Sequence, residues 1–470
     1  MCLRALRTHP ALGSVLLGAA LVRLAALIAY RPALFYSDSW GYLKMARAPQ
    51  LVAIAPTRPS GYPLALRLFS LDEHSLAALV VVQHVAGLAV GALVYVVTRR
   101  LGTERWLAVA GAAVVSLDAS AIALEQHVLA EALYTLLLLA SLSLVLGRLS
   151  ARLAAASGLL LAGAAVMRPV ALFAVPVWLL FVVLRRPGGR AVLTGACAVL
   201  GPLAAYAVLL GALTGTYGLT QADGWFLYAR VGQIVDCRGV NVAPPARSLC
   251  VAGSPSQGPA YFLFDHASPA RRAFGGISGN AHRQAHSNAL LRRFVVDVIV
   301  AHPVAYARLA SADLVRFFSP GASAGAQEDA TVRLPRTVGL SPDDRRERRG
   351  LPMAWTPHAY APARLLNSYG RLMHVPSLLM ALMVALSLLA LALARQRRLA
   401  IVLLSGSALA MLAGSAATAG YAARYEIPVI PLLLCGGLTS ATVLLARARR
   451  ARPGAVAARR SATARTDTGA

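Results

Sequence analysis

Charged residues are few in this sequence and acidic ones fewer still. They make up 14% of the 470 residues, with 19 Asp and Glu against 46 Lys and Arg. A soluble chain of this length would build two or three cores behind charged faces, with polar residues recurring every three or four positions along its helices. Long stretches here have none, which excludes that class. Lysine is reduced to Lys44 alone. Cysteine is also scarce: Cys2, Cys197 and Cys435 lie at the N-terminus or in apolar stretches, whereas Cys237 and Cys250 share one polar segment, thirteen residues apart. No internal repeat is present.

What the chain has is apolar sequence, 57% of it, gathered into blocks of about twenty residues, the length that crosses a bilayer. Seven blocks, 11–30, 76–98, 106–124, 127–147, 153–167, 169–184 and 191–213, precede a long polar loop from Thr214 to His374. Three more follow at 375–394, 399–419 and 426–446. The first block is too long for a cleaved signal peptide, contains Arg23 and is followed by many others, so it reads as a span. The expected fold is an all-α polytopic membrane protein of about ten transmembrane helices with interfacial helices and one large extracytoplasmic loop. Its regions are 1–213, a transmembrane part carrying the first outer loop; 214–374, the extracytoplasmic loop; 375–446, the C-terminal spans; and 447–470, a basic, disordered cytoplasmic tail.

The net charge of +27 invites a nucleic-acid reading, but the arginines cluster in short segments between apolar blocks. With the N-terminus inside, Arg99, Arg100, Arg105, Arg148, Arg152, Arg185, Arg186, Arg190, Arg395, Arg397 and Arg398 all fall in the cytoplasm. Charge therefore reads as topology, with the protein multi-pass in the cell membrane and the long loop on the outer side. Within that loop, Asn288 to Phe318 mixes apolar and charged residues at helical spacing around Pro303 and is expected to lie on the membrane surface. Two cysteines in one exported loop suggest a Cys237 to Cys250 disulfide, with two unrelated thiols as the alternative.

Ionisable residues at the outer apolar boundary carry the functional information. Five segments supply them: Asp38, Tyr42 and Lys44 after the first span; Arg58, Tyr62 and Pro63 before the second; Glu125, His127 and Glu131 in LEQHVLAEALY; Arg168 in MRP; and Arg424, Tyr425 and Glu426 in YAARYEIP. All converge on one membrane face in the inside-N topology. A carboxylate among arginines suits a phosphate-bearing lipid, because guanidinium binds phosphate bidentately and stays charged when desolvated. Each residue also has a plainer role: Asp38 as a helix cap, Arg168 and Arg424 snorkelling to lipid phosphates, His127 and Glu131 joining two helices. His282 and His286 in AHRQAH lack the Glu of a zinc-protease motif and read as exposed loop histidines, so no metal is expected.

These motifs resemble the GT-C glycosyltransferases that use polyprenyl-phosphate sugars, among them protein O-mannosyltransferases and lipid A aminoarabinose transferases. The resemblance rests on SDSWGYL with Asp38, the RPxxYP-like element with Arg58, Tyr62 and Pro63, and AExLY with Glu131 and Tyr134. It continues with MRP at Arg168 and Pro169, HPxxY at His302, Pro303 and Tyr306, and RYxxPxxP at Arg424, Tyr425, Pro428 and Pro431. Many relatives carry two adjacent acids in the first loop; here Ser39 follows Asp38, which favours a lone base over a metal-assisted reaction.

The resemblance implies an integral membrane glycosyltransferase. It would move a sugar, mannose being one candidate, from a polyprenyl-phosphate donor to an acceptor hydroxyl on the extracytoplasmic face, with inversion and without a cofactor. Asp38 would take the acceptor proton, a modest upward pKa shift leaving it ionised at neutral pH. Arg168, Arg424, Arg58 and Lys44 would hold the donor phosphate, with Tyr42, Tyr62, His127, Glu131 and Tyr425 lining the pocket and Glu131 or Glu125 as fallback bases. The rival reading is a flippase or transporter of lipid-linked saccharide. Transporters place ionisable residues at mid-membrane and show internal symmetry, and neither is evident in this sequence.

Overall fold

A computed structural model describes residues 10–50, 52–69, 76–186, 188–238, 244–250 and 258–466. The apolar blocks become helices because a backbone in lipid must satisfy its own hydrogen bonds. Pro10–Ala29, Ala77–Arg100, Gly189–Thr214, Arg398–Thr418 and Ala423–Arg450 are each long and apolar enough to cross a membrane. Three helix pairs qualify only together and are bent: Arg105–Ser116 with Ala119–Gln126 by 44°, Pro362–Leu372 with Ser377–Leu393 by 40°, and Ala281–Ala301 with Pro303–Arg316 by 101°. The chain is thus a mostly helical, multi-pass membrane protein with five to eight candidate spans among the described residues. Part of the difference from the expected ten lies in Glu131–Val145, Ala151–Met167 and Pro169–Leu184, which are apolar but short. At 1.5 Å per residue, a 15-residue helix covers only about 22 Å of a hydrocarbon layer about 30 Å thick.

Local chemistry explains the breaks and ends. Asp118 accepts hydrogen bonds from the backbone N–H groups of Ser120 and Ala121, starting a new helix at Ala119 and bending the span there. Gly189–Thr214 keeps Pro202 in its interior and ends at Gly215, whose φ of +76° gives the left-handed cap that glycine adopts without strain. Pro303 opens the second arm of the 101° bend, lying at the first helical position, where its missing N–H costs nothing. Along Pro10–Ala29, Leu17, Leu21, Leu24 and Ile28 recur at helical spacing and are all exposed. Such a face is stable against lipid and not against water.

The main core lies between the apolar helices, and a second one belongs to the long loop, where Trp225, Tyr228, Phe262, Phe294 and Val298 are buried together. The Cys237–Cys250 disulfide fastens the edge of that second core. Two details of the backbone complete the architecture. Tyr30–Arg31 pairs antiparallel with His358–Ala359, and Leu34 bridges His127, short extended pieces in a chain that is otherwise mostly helical. These extended pieces tie the segment after the first span to the end of the long loop. The last helix spans Ile430–Thr466, and alanine and arginine, which are frequent in its second half, favour helix.

Candidate functional site

Asp38 sits in the first turn of Ser37–Arg47, but it does not cap that helix. Ser39 does so, its hydroxyl accepting from the Tyr36 backbone N–H at 3.0 Å. The Asp38 carboxylate is left to face two cations, with Oδ1 2.6 Å from Arg58 Nη2 and Oδ2 2.8 Å from Arg424 Nη1. Gly41, one turn on, admits the Arg58 guanidinium, since a Cβ there would lie 2.7 Å from Arg58 Nη1. A second carboxylate, Glu328 of the loop helix Ala326–Thr331, lies 3.2 Å from Arg424 Nε and accepts a short hydrogen bond from the Tyr36 hydroxyl. Arg168, where Ala151–Met167 ends, pairs with buried Glu131 at the start of Glu131–Val145.

Aromatic faces bind these pairs into one cluster. The Tyr425 ring lies under both Arg168 and Arg424, at 5.6 and 5.4 Å, and Arg424 also covers Tyr36 at 4.8 Å. Arg58 lies over Tyr42, which meets Tyr62 edge to face at 4.9 Å. Three arginines and three carboxylates, Asp38, Glu131 and Glu328, thus form an assembly of balanced charge. Its bonding is incomplete: Arg58 Nε and Glu131 Oε2 are buried and make no hydrogen bond among the described residues, and Arg424 Nε and Glu328 Oε2 meet each other only as an ion pair at 3.2 Å. Buried polar atoms left without a hydrogen bond are uncommon, and each calls for an explanation such as a catalytic role or a bound water or ion.

Burial alone would raise the Asp38 pKa, but Arg58, Arg424 and Arg168 outweigh it and hold the carboxyl below the ordinary range. The modest upward shift expected from the sequence is therefore corrected to a downward one, because two guanidiniums reach the carboxylate directly. On Tyr36 burial wins: it raises the pKa against the opposing pull of Arg424, with the nearby Glu328 and Asp38 carboxylates adding to the rise, so the hydroxyl keeps a proton to donate to Glu328.

Asp38, Arg58, Arg168, Arg424, Tyr42, Glu131 and Tyr425 come together. Tyr62 and His127 stand one layer behind: Tyr62 donates to Gln83 Oε1 at 2.7 Å, while Gln83 Nε2 donates to the carbonyls of Glu125 and His127. Lys44 is not in the cluster. Six residues beyond Asp38 on the same helix, it points elsewhere and meets Glu347 at 3.2 Å in solvent. Glu125 is also elsewhere, in a buried group that the sequence reading missed. Arg23 grips it bidentately at 2.7 and 2.7 Å, and His84 Nδ1 lies 2.8 Å from the same carboxylate. The apolar spans therefore do contain an ionisable cluster, contrary to the sequence reading. It is closed, with His84 Nε2 meeting Gln126 and Arg23 Nη1 donating to the Ala19 and Ser116 carbonyls.

Sequence reasoning also missed Glu328 and Tyr36. No distinctive signal marked them: the acid pair Glu328 and Asp329 has a counterpart in Asp343 and Asp344 of the same loop. Pro303 and Tyr306 of the HPxxY element anchor the bent helices, with the Tyr306 hydroxyl donating to the Ala417 carbonyl at 2.9 Å. Among the described residues no group of three or more His, Cys, Asp or Glu could hold a metal ion. In comparisons with known proteins, no family model, curated protein or solved structure matches the chain.

Proposed function

We propose that the chain is a membrane glycosyltransferase of the GT-C type that takes its sugar from a polyprenyl-phosphate donor and passes it to an acceptor hydroxyl outside the cytoplasm. The observation that carries this reading is the convergence of Asp38, Arg58, Arg168 and Arg424 from four separate segments into one half-buried cluster. Ten spans follow if the three short apolar helices and two of the bent pairs also cross, leaving Ala281–Ala301 and Pro303–Arg316 on the outer surface. Both termini are then cytoplasmic.

In the reaction, the acceptor oxygen attacks the anomeric carbon from the face opposite the phosphate and its proton passes to Asp38. The bond from the anomeric carbon to the phosphate oxygen breaks, and the phosphate leaves with the electron pair. Its growing negative charge is met by Arg424, Arg168 and Arg58. The lipid phosphate leaves as a stable anion, so no general acid is needed, unlike glycoside hydrolysis. Asp38 between two guanidiniums is a weak base, and phosphate drawing those guanidiniums away makes it a stronger one.

The Arg23, Glu125 and His84 cluster is the observation that favours transport, since charge inside spans marks many ion paths. Both Glu125 oxygens are already taken by protein partners, which favours a structural clamp and removes Glu125 as a spare base. Membranes containing the protein should consume labelled polyprenyl-phosphate sugar and release polyprenyl phosphate. Asp38→Asn should remain in the membrane and lose about 10²-fold or more in turnover, the scale of general-base catalysis. Movement of the intact lipid without consumption would refute the reading, and a mutant retaining more than about a tenth of the activity would remove Asp38 as the base and move the search to Glu131.

A further inference from the structure

Within the proposed phosphate site, on which this inference rests, the three carboxylates are not held alike. Asp38 makes two close ion pairs from a helix whose Trp40, Tyr42 and Leu43 are buried. Glu131 is buried at the start of an apolar helix. Glu328 belongs to the six-residue helix Ala326–Thr331, reached through a segment in which Pro320, Gly321, Ser323 and Gly325 are exposed. Gly321 and Gly325 have φ values of +73° and +107°, a conformation few other residues adopt. Within the segment Asp329 accepts from the Ala324 N–H at 3.0 Å and from the Ser323 hydroxyl, and its outside ties besides Glu328 include Arg316 to the Ser323 carbonyl and a long hydrogen bond, 3.3 Å, from the Tyr421 hydroxyl to the Ala322 carbonyl.

The contact that Glu328 makes with Arg424 is also the poorer one. Arg424 Nε and Glu328 Oε2 lie 3.2 Å apart, yet neither makes a hydrogen bond, whereas Arg424 Nη1 bonds Asp38 at 2.8 Å. Charge balance adds a constraint. With three arginines against three carboxylates, an anion entering the cluster leaves it net negative in a desolvated place unless a carboxylate departs. Glu328 has the weakest hold, and its side chain is 26% exposed against 19% for Asp38 and 2% for Glu131.

We propose that Glu328 is a specificity-determining residue of this site: it occupies Arg424 in the resting protein and is exchanged for the phosphate of the incoming ligand. The same exchange frees the Tyr36 hydroxyl, which donates to Glu328 in the resting state and to a phosphate oxygen in the bound one. An anion enters only if it competes for Arg424 better than this tethered carboxylate. The donor's phosphodiester and a carboxylate each carry one negative charge, so the discrimination lies in geometry: a carboxylate ligand offers Arg424 no more than Glu328 already does and is turned away, whereas a phosphate has a further oxygen to accept from the Tyr36 hydroxyl.

Farnesyl phosphate and inorganic phosphate, titrated calorimetrically into the full-length protein in detergent, test this. Glu328→Gln keeps the shape and removes the competing charge, so farnesyl phosphate should bind it about tenfold tighter than wild type, the size of one charge-assisted contact. Tightening toward both probes identifies phosphate itself as the competitor, and tightening toward farnesyl phosphate alone identifies one carried on lipid. Wild-type binding that is unchanged or weakened by the substitution overturns the exchange while leaving the phosphate site intact. Absence of binding to either protein overturns both. Wild-type protein gives a second readout free of folding effects: amide exchange across 320–331 should speed up when farnesyl phosphate is added. Slower or unchanged exchange there overturns the proposal.

Discussion

The Asp38 carboxylate is held below its ordinary pKa by guanidiniums that the proposed donor would take over. In the unfolded chain an Asp titrates near 3.9, so the stabilisation from its ion pairs is complete above about pH 4 and is lost only as pH falls through the lower folded value. Between pH 5 and 8 this contribution to stability is flat. Catalysis should behave differently in the two kinetic parameters. The acid limb of kcat/KM reports the free protein and should lie below about pH 4, while the limb of kcat reports the complex and should lie higher. Coincident limbs in a pH-rate profile would mean that the donor does not loosen the arginines. Arg168 offers a second test. Truncating one partner of a buried ion pair leaves the other charge stranded, at a cost of about 3–5 kcal/mol. Arg168→Ala should therefore lower thermal stability in detergent, and adding Glu131→Gln should restore much of it. If the double mutant is no more stable than the single one, the pair is not what holds those helices.

At the scale of elements, helix Ala77–Arg100 packs closely against its neighbours through Gly87 and Gly91, four residues apart as in the GxxxG spacing of membrane helices. A Cβ on Gly87 would stand 1.8 Å from Glu125 Oε1, and one on Gly91 would stand 1.9 Å from Ser116 Oγ. The Glu125 carboxylate cannot retreat because Arg23 and His84 grip both oxygens. Gly87→Ala should then destabilise the protein by about 1–3 kcal/mol, the usual range for overpacking, and an unchanged melting temperature would refute the clamp. The helices themselves were legible, because apolar runs of bilayer length have few other uses. Their closest contacts were less so, since a glycine in an alanine-rich span looks like composition until the opposing carboxylate is seen. Arg23 is the same case: it argued against a signal peptide, but its partner lies 102 residues away.

For the whole molecule, the sequence showed which segments at the apolar boundaries carry ionisable residues but not which of them touch. Asp38, Arg58, Arg168 and Arg424 could be chosen because apolar sequence surrounds them and makes charge conspicuous. Glu328 could not, because in a polar loop an acid is ordinary and only the folded chain brings it to Arg424. Lys44 misled for the opposite reason: it shares a short helix with Asp38, and helical rotation sends it to Glu347. That misplacement has a practical use. As the sole lysine, 42% exposed in its side chain, Lys44 is the one internal amine open to acylation. A membrane-impermeant amine reagent applied to intact cells should modify it if the first loop faces outward, and leave it untouched if the orientation is reversed. One mass shift on one peptide would then report the sidedness of the chain, with the modified side chain only two helical turns from the proposed base.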